Sequence, residues 1–260
     1  MRNLRLILSY DGAEFAGWQV QPGRMTVQGT LSSAIGRLSG ENVLPQGSGR
    51  TDAGVHALAQ VASFATASAV PTENWVRALN DILPASVRVL EVTEAAPEFH
   101  ARKSARGKTY RYRIHRGAIC SPFLARYVWH NPFPLDEQAI MAAADAVVGE
   151  HDFTSFAAVD PERVERMAAA ENIEAGELRT TNVRRIFSSA WMRDGEELIY
   201  TVHGSGFLHH MVRNLVGTFL LVGKGTLSRE DFCRILAARE RSAAGPTAPA
   251  SGLYLVEVEY

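Results

Sequence analysis

Cysteine is nearly absent: Cys120 and Cys233 are the only two in 260 residues, far apart and in no CxxC pairing. That argues against a disulfide framework or a cysteine-based zinc cluster and is compatible with a reducing cytosol. Long apolar runs are missing too. The start, Met1-Arg-Asn-Leu-Arg, lacks the apolar core of a signal peptide, and patches such as Leu215–Val222 are too short to span a bilayer. A cytoplasmic protein with no membrane partner is expected. Gly47-Ser-Gly49-Arg50 is glycine-rich, but neither GxGxxG nor GK[ST] occurs there, so no nucleotide or other small-molecule cofactor is indicated. Net charge is lacking as well. The 27 basic and 28 acidic side chains leave −1, which gives no bulk pull towards a polyanion.

That balance hides a strong segregation. Between Phe99 and Leu135 there is no acid, only Arg102, Lys103, Arg106, Lys108, Arg111, Arg113, Arg116 and Arg126. From Asp136 to Glu177 eleven acids face only Arg163 and Arg166. A basic block on a near-neutral chain suits docking of a phosphate backbone on one face, or else is simply a solvated surface strand.

Periodicity reads as α+β. Leu4–Tyr10 is a strand stopped by Asp11-Gly12, and Gln28–Leu38 has apolar residues at helical spacing, with Thr26 or Thr30 to cap it. A strand at Gln60–Phe64, a helix at Asn74–Leu83 and a strand at Val87–Val92 complete a β-α-β-α-β lobe. Domains are expected at 1–97 and 98–260, two similar lobes with mainly antiparallel sheets and outer helices about a central cleft. In the second, Tyr110, Tyr112 and Ile114 alternate with Arg111, Arg113 and His115 on opposite strand faces. Helices are expected at Leu135–Val148, Phe207–Val222 and Ser228–Ala238. Strands are expected at Val183–Trp191, Glu197–His203 and Leu253–Tyr260. The polar, acidic stretch 157–181 reads as a lid or surface excursion.

Chemistry is concentrated in Gly49-Arg50-Thr51-Asp52-Ala53-Gly54-Val55-His56. Asp52 is the only acid between Glu41 and Glu73 and sits between glycines that let backbone and ligand approach closely. By itself this is equally a polar turn. Asp52 and His56, with His203, His209 and His210, could serve metal-assisted hydrolysis, but no HxxxH, CxxC or DxD spacing supports a metal site. On the expected helix 206–217, His209 and Arg213 are four apart and make a cationic stripe, and Asp52 is a natural partner for Arg213.

Together these segments resemble the tRNA pseudouridine synthase A family over nearly the whole chain. The resemblance is carried by Tyr10-Asp-Gly12 with Phe15 and Gly17-Trp-Gln19, and by the nine residues Gly49–Ala57. It continues through Phe99–Arg102, Lys108–Tyr112, His151–Phe156, Phe207–Asn214 and Gly252–Leu255. Ala59 departs from a glycine common in the family. The resemblance implies isomerisation of uridine to pseudouridine at positions 38, 39 and 40 of the tRNA anticodon arm, without metal or other cofactor, by a homodimer. It assigns Asp52 as the essential carboxylate, Arg213 as its cation and Tyr110 as the ring that stacks on the base. Arg50, Arg111, Arg113 and His209 become substrate contacts. The rival reading is an inactive tRNA-binding homologue.

Overall fold

The computed structural model describes residues 1–158 and 181–260. Two compact units divide the chain: Met1–Asn131 with Pro249–Tyr260, and Pro132–Ala248.

The first unit is built on a strand whose alternation is plain in the sequence. In β1 (Arg2–Tyr10), Leu4, Leu6, Leu8 and Tyr10 all point to one buried face. Each such leucine contributes about 1.5–3 kcal/mol on leaving water. β1 pairs antiparallel with β3 (His56–Thr66) and β4 (Val87–Ala95), which sets Leu6 opposite both Ala62 and Val92. The terminal strand β10 (Leu253–Glu259) lies parallel to β3 and antiparallel to β5 (Gly107–His115), giving the order β4-β1-β3-β10-β5. Short β2 (Gln46–Gly47) and β6 (Trp129–His130) add to β3 and β5. Helix α1 (Val27–Ser39) buries Leu31, Ala34 and Ile35. Its cap is Thr26, whose hydroxyl accepts from the Gly29 N–H, and Gly40 closes it at φ 74°. Helix α2 (Thr72–Ile82) buries Trp75 and Leu79, with Trp75 edge-on to Phe64.

The lobe boundary expected at residue 97 therefore falls between β4 and β5, inside this unit. The reason is β10, which stitches the Tyr110 strand to the strand that follows the Asp52 loop. A pairing between the last strand and two earlier ones leaves no local signal at residue 97.

The second unit has an antiparallel sheet ordered β9-β8-β7, from β7 (Gly149–Asp152), β8 (Val183–Asp194) and β9 (Glu197–Gly204). Its helices are α3 (Glu137–Ala143), α4 (Met211–Gly223) and α5 (Arg229–Ala238). Phe156, Phe219 and Phe232 stack in the core, the last two with centroids 4.5 Å apart. The helix expected over Leu135–Val148 stops at Ala143, and a 3-10 turn, Ala144–Val147, leads to Gly149 at φ 109°. The helix expected from Phe207 starts only at Met211, because His210 takes the left-handed conformation, φ 59°. His209 thus precedes α4 and forms no helical stripe with Arg213. The lid expected at 157–181 lies, but for its ends, outside the described residues. Among the described residues no helix is long and apolar enough to cross a membrane.

Candidate active site

Asp52 sits half-buried in the turn between β2 and β3, on a loop held from three sides. On one side, the Trp18 N–H donates to the Thr51 carbonyl at 3.0 Å and the Gly54 N–H to the Phe15 carbonyl at 3.3 Å. Glycine is needed on that side. Gly17 has φ 93°, and a Cβ there would lie 2.6 Å from the Thr51 carbonyl oxygen. A Cβ on Gly12 would lie 1.9 Å from the carbonyl oxygen of Val55.

A second set of bonds comes from the core. The Tyr10 hydroxyl and Thr51 Oγ1 are 2.8 Å apart. Gln60 Nε2 donates to the Gly49 carbonyl at 2.9 Å, and the Ser48 hydroxyl donates to Gln60 Oε1 at 2.6 Å. Burial pushes the Tyr10 phenol up to about 12 despite the bonds from Thr51 and Gln60. Lys108 Nζ donates to the Ser48 carbonyl at 2.7 Å.

The third support is His56, the first residue of β3 and almost wholly buried. The Gly12 N–H donates to its Nδ1 at 3.1 Å, and its Nε2 lies 3.2 Å from the Arg126 carbonyl. Asp11 Oδ1 is 3.2 Å from Nδ1, and Asp11 also accepts from the Tyr127 hydroxyl at 3.0 Å. The His56 ring stacks on Tyr254 with centroids 4.9 Å apart. Burial holds the His56 pKa below the usual histidine value, outweighing the pull of Asp11. His56 is a strut of the loop.

Tyr110 rises from β5 on the buried face, 8% exposed. Burial is the main cause of its raised phenol pKa, and the Asp52 carboxylate adds to it. Asp52 is thus close enough to Tyr110 for its charge to be felt. Two residues 58 apart in sequence are brought together by the β3–β10–β5 pairing. The arrangement offers a carboxylate on a rigid loop beside a neutral aromatic ring.

A family model described as tRNA pseudouridine synthase matches residues 6–102 and 143–260. The chain belongs to the tRNA pseudouridine synthase family. It is 48% identical to a tRNA pseudouridine synthase A of Solibacter usitatus, over the full length of both chains. It is 44% identical to one of Moorella thermoacetica, over 99% of each. Among solved structures it is similar to a chain of a Cbf5-Nop10-Gar1 complex, at 11% identity and a TM-score of 0.34, over 96% of this chain and 57% of that one. That last likeness is too slight to carry an argument.

Set beside this family assignment, the expected site residues fall into two groups. Arg50, Asp52, Tyr110, Arg111 and Arg113 belong to the first unit, His209 and Arg213 to the second. Arg50 is exposed. Arg111 and Arg113 are half-buried on the β5 face opposite Tyr110, and the Arg113 guanidinium lies 5.8 Å from the centre of the Tyr254 ring. The His209 ring packs on His210 at 4.0 Å, and its carbonyl accepts from the Ala158 N–H. Arg213 Nε donates to the Ala248 carbonyl at 2.7 Å, which ties α4 to the loop before β10. Gly217 lets that loop approach, since a Cβ there would lie 1.7 Å from the Pro246 carbonyl oxygen.

The basic block is partly spent on structure. Lys108 tethers the Asp52 loop, Arg116 donates to the Asn131 carbonyl, and Arg126 pairs with Asp11 at 3.0 Å. Composition counts charges but does not see their partners. Sequence reading also missed Gln60 in β3 and Ser48 just after β2, which hold the loop. The signal for Gln60 was a strand position carrying a polar side chain, which needs a hydrogen-bond partner when buried.

Proposed function

We propose that this protein isomerises uridine to pseudouridine at positions 38, 39 and 40 of the tRNA anticodon stem-loop. The reading is carried by Asp52, fixed on its tethered loop with its charge acting on the buried Tyr110, in a chain of the tRNA pseudouridine synthase family.

The target uridine leaves the stack, at a cost of a few kcal/mol. Asp52 acts on its ribose, either by attack at C1′ or by taking a proton from C2′, and both routes require an ionised carboxylate. The N1–C1′ bond breaks, the uracil turns while bound, and C5 bonds to C1′. The C5 proton then leaves to restore the ring, and N1 takes up a proton. No atom is gained or lost, and no oxidant or reductant is consumed. Tyr110 serves as the neutral ring on which the base rests.

Arg213 is the cation that the family resemblance assigns to the reaction, and its Nε bond to the Ala248 carbonyl fixes the side chain within the second unit. Arg50, the most exposed of the assigned cations, grips the substrate backbone, with Arg111, Arg113 and His209 adding contacts. Such contacts weaken as salt rises. The working form is a cytoplasmic homodimer without a cofactor.

Release of tritium from tRNA carrying [5-³H]uridine, measured in EDTA, tests the reading. Release is expected from tRNA with uridine at 38–40 and absent when those positions are cytidine. Binding without release would favour an inactive tRNA-binding homologue.

A further inference from the structure

We propose that the groove between α1 and the end of α2 is a second subsite for the tRNA phosphate backbone, outside the Asp52 loop. The proposal rests on the tRNA reading above. The groove has a volume of about 380 Å³, at the lower end of the range of about 300–1,000 Å³ usual for ligand clefts. Arg24 and Arg37 line it, together with the hydroxyls of Thr30 and Ser33 and the apolar Met25 and Leu83. No acid lines it.

Three features set this groove apart from an ordinary charged surface. Thr30, Ser33 and Arg37 recur at helical spacing on one side of α1, while Leu31 and Ile35 of the same helix face the core. Among the described residues, Arg24 and Arg37 have no acidic partner within ion-pairing distance, unlike Arg126, Arg193 and Arg229. Two exposed, uncompensated guanidiniums on one concavity suit a phosphate, which they can bind with paired donors. Met25, 52% exposed, supplies an apolar surface against which a ribose can rest.

The helix N-terminus is not the source of the site. The N–H groups of Val27, Gln28, Gly29 and Thr30 already donate to Gly17, Trp18, Thr26 Oγ1 and Thr26. The arginines must do the binding. The groove is also joined to the Asp52 loop by a short strut. The Val20 N–H donates to Gln28 Oε1, the Gln28 N–H to the Trp18 carbonyl, and the Trp18 N–H to the Thr51 carbonyl. A backbone gripped at Arg24 and Arg37 is therefore held in the same hydrogen-bonded frame as Asp52.

The test is full-length protein with Arg24→Glu and Arg37→Glu together, assayed for tRNA affinity against salt and for steady-state kinetics. Affinity should fall about tenfold near 0.1 M salt, and the logarithmic salt slope should lose about 2, one for each phosphate contact. KM should rise far more than kcat falls. Arg24→Gln with Arg37→Gln should move each value the same way by less, and serves if the reversed charges impair folding. Affinity and slope within twofold of wild type would overturn the subsite. A wild-type protein that makes no pseudouridine would overturn the function reading instead, and the two failures are distinct.

Discussion

The Asp52 loop and the groove between α1 and α2 share one frame but are built in opposite ways. In the loop nearly every polar group is bonded, from the Thr51 carbonyl to the Ser48 hydroxyl, and two close approaches exclude any Cβ. In the groove the cations are exposed and unpaired among the described residues. A reacting carboxylate gains from fixed position, since misplacement of about 1 Å can cost two orders of magnitude in rate. A backbone contact needs only charge and tolerates motion. Position matters at the loop, and charge alone suffices in the groove.

That contrast can be broken most severely at Gly12. Gly12→Ala puts a methyl against the Val55 carbonyl, and overpacking of this kind costs about 1–3 kcal/mol or more. We expect a lower melting temperature and a fall in kcat, with tRNA affinity little changed. A variant with wild-type stability and rate would show the loop to be less constrained than described. Next is Tyr10→Phe, which removes the hydroxyl shared by Thr51 and Gln60 and should cost about 1–3 kcal/mol. Denaturant titration measures it, and no loss would mean that the phenol is not holding the loop. Lys108→Met separates tether from tRNA contact. It should cost about 1 kcal/mol, at the modest end for a half-buried hydrogen bond, and leave the salt slope of tRNA binding unchanged. A slope reduced by about 1 would return Lys108 to the interface.

The smallest effect concerns His56. Its folded pKa is depressed by burial, so the unfolded chain binds the proton more readily. Its contribution to stability is complete above the ordinary histidine value of about 6.5 and is lost as pH falls through the folded pKa. His56→Gln should flatten the stability profile over that window. An unchanged profile would assign the acid sensitivity elsewhere.

Much of this was legible beforehand, for physical reasons. Leu4, Leu6 and Leu8 mark β1 because alternation of period 2 is a local property, and Thr26 marks the start of α1 through its hydroxyl. The Asp52 loop stood out because its acid is isolated among glycines. What was not legible is non-local. Nothing near residue 97 announces that β10 will join β3 to β5. Nothing in the spelling of Lys108 or Arg126 tells that a carbonyl or Asp11 occupies them. The early start expected for α4 failed because its apolar periodicity runs on through Phe207 and Leu208, whereas a single left-handed residue, His210, ends the helix. Arg24 and Arg37 went unnoticed because they lie thirteen positions apart and only folding places both on one groove.

In the proposed function, Asp52 performs the chemistry rather than merely shaping a binding loop. Single-turnover release of tritium from tRNA carrying [5-³H]uridine, with Asp52→Asn in excess over tRNA, tests it directly. The variant should bind tRNA at near wild-type affinity and release tritium at a rate lowered by at least about a thousandfold, in keeping with loss of an acid–base or nucleophilic group. Release by the Asn variant at a rate near that of wild type would contradict it.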